Sequence, residues 1–240
     1  MTEITTEKKQ PFLEHLIELR SCIIKAFIGW VIASILVYIF SDQILEFIIN
    51  PLRPYLGADH KVYFRGLPDV FSTQIKLSVI LGFILGSPYI FYQIWTFIAP
   101  GLYDHEKKWL KQLVFLTSFF FLLGAGIAYF LFLPFLLKFF YSFGEKFLVY
   151  KPYLKEYISF LLKTLLLFGL FFQLPSILFT LSRLGIVTLD QLCKFRPYAI
   201  ILNFIFASLI TAGGDPIYQI LIAIPLTILY EIGILLIKLT

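Results

Sequence analysis

The chain has 240 residues, of which 59% are hydrophobic and 15% are charged, and its formal net charge is +5. A mean hydropathy of +0.86 excludes an ordinary water-soluble domain and indicates an integral membrane protein. No basic cluster is interleaved with aromatic residues, which argues against a nucleic-acid partner, and the two cysteines, Cys22 and Cys193, have no metal-binding or redox spacing, so no metal site or cofactor is expected.

The first predicted element is an amphipathic helix that begins at Pro11, in the stretch PFLEHLIELR. At 100° per residue, Glu14 and Glu18 share its polar face, while Arg20 projects from the apolar side. One interpretation is an interfacial helix whose polar face meets water. The other is a cation receptor, because a carboxylate can accept two hydrogen bonds from one guanidinium group.

Six long apolar stretches follow, each without charged residues over most of its length, and they are predicted to cross the roughly 30 Å core of a bilayer as helices. The chain is therefore predicted to be one all-α membrane domain, residues 1–240. Proline inside a helix removes a hydrogen bond and bends it, so the kinked spans are expected to form a curved, concave wall. The prolines inside spans are Pro88, Pro134, Pro175 and Pro225. The predicted spans are residues 22–41, 72–98, 111–135, 157–182, 197–211 and 216–236.

An even number of spans puts both termini on one side of the membrane. Lysine and arginine are only slightly more frequent in the links on that side, but those links are shorter, which favours that side as cytoplasmic. The fifth span, residues 197–211, is short. It must thin the bilayer, border a water-filled cavity or rely on neighbouring helices to cover its ends.

The tight turn between the second and third spans, in the stretch YQIWTFIAPGLYDHEKKWLK, combines apolar side chains with a carboxylate. Phe97, Leu102 and Tyr103 precede Glu106. Any polytopic protein needs a charged turn between two spans, so the pattern alone leaves the role of this turn open.

Two polar side chains fall inside predicted spans. Gln173 lies in the middle of the fourth span, where an amide costs less than a charge and can still form hydrogen bonds. Glu231 lies about four turns into the sixth span. A charge at that depth normally faces protein or water, so a contact with another helix or a partner is favoured over catalysis.

Four stretches match one known family in order, from about Phe12 to Lys238. They are FLEHLIELR, SPYIFYQIWTFIAPGLYDHEKK, FRPYAIILNFIFASLITAGGDPIYQ and AIPLTILYEIGILL. They resemble the TatC family, the receptor subunit of the twin-arginine protein translocase. The resemblance implies a core receptor that binds the twin-arginine signal peptides of folded precursors at the cytoplasmic face and nucleates a translocation complex driven by the proton motive force.

The resemblance also implies partners, location and site residues. The partners are TatA- and TatB-type single-span subunits, membrane lipid and further copies of the chain; the location is a bacterial-type inner membrane with both termini cytoplasmic. Glu18 and Glu106 match the carboxylates that receive the paired arginines. The positions that match the surroundings of this patch are Arg20, Phe97, Leu102 and Tyr103. The positions that match external-loop or partner contacts are Pro51, Asp215 and Gln219. The family often carries glutamate at the position of Gln173, so a polar but uncharged group is expected there.

Two other functional classes are alternatives to a receptor. An intramembrane enzyme is disfavoured because no HExxH, GxSxG or GxxxxGK[ST] motif occurs and the histidines lie outside the span centres. A secondary transporter or channel for a small solute is the alternative, with Lys163, Gln173 and Glu231 along its path. No internal repeat supports it, and a transporter would not distinguish an Arg-Arg peptide from a Lys-Lys peptide.

Overall fold

The computed structural model of the protein describes residues 12–56, 62–98, 110–144, 152–210 and 216–239. Within these ranges the secondary structure is helical, without a strand, which confirms the predicted all-α fold class. The one β-bridge in these ranges joins Tyr63 and Tyr153. Its two hydrogen bonds run from the Tyr63 amide to the Pro152 carbonyl oxygen, at 3.0 Å, and from the Leu154 amide to the Tyr63 carbonyl oxygen, at 2.8 Å.

The helices follow one another with short connections. They are α1 (Phe12–Ile39), α2 (Ser41–Ile49), a 3₁₀ helix (Asn50–Tyr55), α3 (Leu67–Ile98), α4 (Leu110–Ile127), a π-helical segment (Ala128–Phe132), α5 (Leu133–Gly144), α6 (Leu154–Phe171), α7 (Gln173–Arg183), α8 (Leu189–Ile210) and α9 (Pro216–Lys238). The π-helical segment ends two residues before Pro134, and Phe172, three residues before Pro175, separates α6 from α7. Proline thus accompanies an interruption at these two positions, whereas α3 and α9 continue through Pro88 and Pro225.

Four stretches of the described residues are long and apolar enough to cross a membrane. They are Leu16–Ile39, Pro68–Ile98, Lys111–Ser142 and Leu154–Arg183. Helices α8 and α9 occupy the positions of the predicted fifth and sixth spans, whose crossing of the membrane stays a prediction. Helix α8 begins at Leu189, eight residues before the predicted span. Hydropathy marks where apolar surface begins, and the helix itself extends further, through the exposed Arg196.

Neighbouring long helices pack antiparallel. Gly29 of α1 lies against Tyr89 of α3, and Ser34, further along α1, lies against Gly82, earlier in α3. The start of α1, the end of α3, the start of α4 and the end of α7 therefore share one side, which we call the proximal face. The opposite side, with α2, the 3₁₀ helix and the Tyr63–Tyr153 bridge, is the distal face.

Helix α1 is attached mainly through small residues of α3. Gly82 and Gly86 form a GxxxG pair in the sequence GFILG, and they face Ser34 and Ala33 of α1. A Cβ atom at Gly82 would lie 2.5 Å from the Ser34 Cα, so the two backbones are in close contact. Only 6% of the apolar stretch of α1 is buried, so this contact with α3 largely determines where α1 lies.

The core lies between α3, the α4–α5 helix and α6. Its fully buried side chains include Phe121, Leu133, Leu136, Ile158, Leu161 and Leu162. Two tyrosines fasten α2 over the distal end of this core. The Tyr129 hydroxyl donates to the Phe47 carbonyl oxygen at 2.6 Å, and the Tyr157 hydroxyl donates to the Ile48 carbonyl oxygen at 2.8 Å.

Candidate functional site

The structure describes part of the predicted carboxylate patch, and this part, Glu18, Arg20 and Phe97, lies at the proximal face. Glu18 and Phe97 are half-buried, and Arg20 is exposed. The Oε2 atom of Glu18 is itself buried, so this carboxylate is partly shielded from water. The other predicted residues of this patch, Leu102, Tyr103 and Glu106, lie outside the described residues.

The register of α1 against α3 brings Glu18 to the level of the end of α3. Measured from the contact between Gly29 and Tyr89, Glu18 lies eleven residues and Phe97 eight residues toward the proximal face. At about 1.5 Å per residue, these distances are roughly 16 and 12 Å along the two helices. Glu18 and Phe97 are thus separated by only about one helical turn in height on neighbouring helices.

The end of α3 is also fixed to the start of α4. The Trp95 indole nitrogen donates to Thr117 Oγ1 at 3.3 Å, a contact between the two helices close to the proximal face. Ile98 and Leu110, which flank the segment carrying Glu106, therefore belong to helices that are held together. The end of α3, the start of α4 and Glu18 consequently share one end of the molecule.

Gln173 is buried, as expected for a polar group inside a span, and it connects helices. Its Nε2 atom donates to the Thr117 carbonyl oxygen at 3.0 Å, and its Oε1 atom accepts from Ser176 Oγ at 3.1 Å. Because Thr117 also bonds Trp95, this chain of hydrogen bonds crosses α3, α4 and α7. An amide supplies the donor that faces the Thr117 carbonyl, whereas an ionised glutamate has none.

Replacement of Gln173 with leucine is expected to lower the free energy of unfolding by about 2 kcal/mol, because two hydrogen bonds of roughly 1 kcal/mol each are lost. The measurement is unfolding of the purified protein in mixed micelles, followed by circular dichroism. Gln112→Leu is the matched control, because Gln112 is exposed on α4 and its change should be nearly neutral. Equal stabilities for the two variants would contradict a structural role for the Gln173 amide.

Glu231 contacts the neighbouring helix. Its Oε2 atom lies 3.0 Å from Arg196 Nη2, and about half of each side chain is exposed. The Tyr230 hydroxyl joins the same two helices by donating to the Leu192 carbonyl oxygen at 2.8 Å. The sequence patterns did not identify Arg196 as the partner of Glu231. The signal that could have found it is an arginine directly before Pro197, where the short fifth span begins.

The Arg196–Glu231 pair gives a testable coupling. Reversal of one charge, as in Arg196→Glu or Glu231→Arg, is expected to lower stability, and the double reversal is expected to recover most of the loss. Because the pair is half exposed, the coupling energy is expected to be about 1 kcal/mol or less. A double-mutant cycle of unfolding free energies measures it, and additive effects of the two single reversals would show that the pair does not couple α8 to α9.

Two of the positions that match external-loop or partner contacts, Pro51 and Gln219, lie at the distal face, at the opposite end from Glu18. Pro51 is half-buried in the 3₁₀ helix, and Asp215 lies outside the described residues. Gln219 of α9 donates from Nε2 to the Phe204 carbonyl oxygen of α8 at 3.0 Å. It borders an open groove of about 350 Å³ lined by Ile200, Ile201, Phe204, Ile205 and Ser208.

Comparison with known proteins gives consistent matches over nearly the whole chain. The family model described as Sec-independent protein translocase protein (TatC) matches residues 14–225. A protein named Sec-independent protein translocase protein TatC from Desulforapulum autotrophicum is 41% identical over 95% of this chain and 84% of its own length. The protein of the same name from Aquifex aeolicus is 39% identical over 95% of both chains. A crystal structure of the twin-arginine translocase receptor TatC superposes with a TM-score of 0.77 at 38% identity, covering 94% of this chain and 98% of that one.

Proposed function

Because this chain belongs to the TatC family of Sec-independent protein translocase proteins, we propose that its proximal carboxylate patch binds the paired arginines of twin-arginine signal peptides. As a member of that family, it is a membrane-embedded receptor component of a protein translocase and not an enzyme. The family assignment replaces the alternative of a small-solute transporter or channel.

The observation that supports this site is the register of α1 against α3. It brings the half-buried Glu18 level with the end of α3, within about one helical turn in height of Phe97. The segment that carries Glu106 follows α3 directly in sequence. A partly shielded carboxylate accepts two parallel hydrogen bonds from a guanidinium group more favourably than one bond from an ammonium group. Two such carboxylates therefore suit two adjacent arginines and discriminate against two lysines.

The rest of the proposed mechanism follows from this docking step. The proximal face is the cytoplasmic face, and the apolar segment of the signal peptide lies along the helices near Gln173. TatA- and TatB-type subunits bind at positions that include Pro51, Asp215 and Gln219, and further copies of the chain join the complex. Passage of the folded cargo across the inner membrane is driven by the proton motive force.

Site-specific photo-crosslinking tests the proposal. A photoreactive residue at position 18 or 106 should crosslink to a twin-arginine precursor in membranes, and the yield should fall sharply when the Arg-Arg pair becomes Lys-Lys. A photoreactive residue at position 46 is the control, because Glu46 lies in α2 at the distal face, where it pairs with Arg53 at 2.9 Å. Equal yields from positions 18 and 46, or indifference to the Lys-Lys change, would refute the docking site.

A further inference from the structure

A polar cleft between α3 and α6 opens at the distal face. On α3, Asp69, Thr73 and Lys76 are spaced by four and three residues, so they share one side of the helix. The Lys76 ammonium donates to Ser159 Oγ of α6 at 2.8 Å, which shows that this side faces α6. A cavity of about 570 Å³ lies at the mouth of the cleft, bordered by both Asp69 and Ser159.

The charges at the mouth of the cleft neutralise one another. Arg65 Nη2 lies 2.6 Å from Glu156 Oε1, and Lys155 Nζ lies 2.9 Å from Asp69 Oδ1. The Arg65 guanidinium also covers the Tyr153 ring, 4.5 Å from the ring centroid. Each cation among the described residues at the mouth thus has its own carboxylate, and these residues together carry no net charge.

Two lysines, Lys76 and Lys163, lie deeper along α3 and α6 than the residues that line the cavity, and we call this deeper part the floor of the cleft. Lys163 follows Ser159 by four residues on α6, so it lies one turn deeper on the same side of the helix, and it is exposed. Among the described residues, Lys76 bonds only the neutral hydroxyl of Ser159. Within the described part of the chain, no carboxylate lies within ion-pair distance of either Lys76 or Lys163, so the floor of the cleft has an excess of positive charge.

These two lysines lie close to the level of lipid headgroups. The apolar stretch that contains Lys76 has 31 residues, and the one that contains Lys163 has 30, so each is about 45 Å long and exceeds the roughly 30 Å core. Lys76 lies roughly 12 Å and Lys163 roughly 14 Å from the distal end of its stretch. If the helices are centred in the bilayer, both Cα atoms fall just inside the distal edge of the hydrocarbon core.

An ammonium group at this depth is costly without an anion or water beside it. The anion most concentrated at this level of a membrane is a lipid phosphate, and basic pockets between spanning helices bind anionic headgroups. We propose that the α3–α6 cleft binds the headgroup of an anionic phospholipid from the distal leaflet, with its phosphate between Lys76 and Lys163 and its acyl chains along the exposed surface of α6. This site is separate from the signal-peptide patch at the opposite face.

Native mass spectrometry of the full chain, released from micelles with phosphatidylglycerol or phosphatidylethanolamine, tests this site. Each lysine near an anionic headgroup contributes about fivefold in affinity, so Lys163→Gln should lower the preference for phosphatidylglycerol about fivefold and the double variant Lys76→Gln/Lys163→Gln about twenty-fivefold. The double replacement with arginine should retain the preference. Lys138→Gln is the matched control, because Lys138 is exposed near the distal end of α5, away from the cleft.

The single variant keeps the test independent of folding, since Lys163 makes no hydrogen bond or ion pair with the described residues. An unchanged preference in Lys163→Gln and in the double glutamine variant would overturn the site. Displacement of the lipid by an equal concentration of glycerol 3-phosphate would overturn a lipid occupant in favour of a free phosphate. If carbodiimide crosslinks Lys76 to a carboxylate of a partner subunit and no lipid preference is measured, the ligand of the cleft is a protein and not a lipid.

Discussion

Replacement of Glu18 with alanine is expected to lower the affinity for a twin-arginine signal peptide by about tenfold to a hundredfold. A hydrogen bond to a charged group contributes roughly 1.5–3 kcal/mol, which corresponds to that range. The Oε2 atom of Glu18 is shielded from water, so its pairing with an incoming guanidinium is less weakened by solvent than that of a fully exposed carboxylate. Glu106→Ala is expected to have an effect of similar size, because each carboxylate is proposed to receive one of the two arginines.

Binding of a fluorescent signal peptide to the protein in nanodiscs measures both effects. Glu46→Ala is the control, because its carboxylate is 73% exposed at the distal face and its loss should leave the affinity unchanged. A Lys-Lys peptide should bind the parent protein weakly and be little affected by either substitution. If Glu18→Ala and Glu106→Ala each bind the Arg-Arg peptide as the parent does, the two carboxylates do not form its receptor.

Gly82→Leu is expected to abolish signal-peptide binding without unfolding the rest of the protein. A Cβ atom at this position would lie 2.5 Å from the Ser34 Cα, and backbone cannot yield as a side chain does, so α1 must move away from α3. Because α1 has little other buried surface, its displacement carries Glu18 away from the end of α3. The core around Phe121 and Ile158 does not involve this contact and should remain packed.

Spin labels at positions 24 and 92, both exposed, report the separation of α1 and α3 in a background without native cysteines. The distance between the labels should increase in Gly82→Leu, while the unfolding transition of the remaining helices should be retained. Gly126→Leu is the matched control, since a Cβ atom at Gly126 would meet no atom within 4 Å. An unchanged distance together with normal peptide binding would show that α1 is not fixed by its contact with Gly82.

The all-α fold class could be predicted from sequence because hydropathy and proline affect the structure of the residues next to them in the chain. The same holds for the polar face of Glu18, which helical periodicity alone assigns. The partners of polar groups could not be predicted in this way. Gln173 bonds Thr117, 56 positions away in sequence, and Glu231 pairs with Arg196, because helix packing brings these residues together.

The contact of α1 with α3 could not be predicted from the sequence either. Gly82 and Gly86 form a readable GxxxG pair, but the pattern does not say which helix approaches it. The cleft floor was missed for a similar reason. Lys76 and Lys163 belong to different spans. Only the packing of α3 against α6 shows that Lys76 lies beside the side of α6 that carries Ser159 and Lys163.

The bridge between Tyr63 and Tyr153 also affects the order in which parts of the molecule unfold. Its two backbone hydrogen bonds close a loop of chain that contains all of α3, α4 and α5. The conformational entropy lost on closing this loop is lost once for all three helices, so the helices stabilise one another while the loop is closed. They are therefore expected to exchange their amide hydrogens as one cooperative unit. Helix α1 lies outside the loop and is held mainly by α3, so its amides should open first.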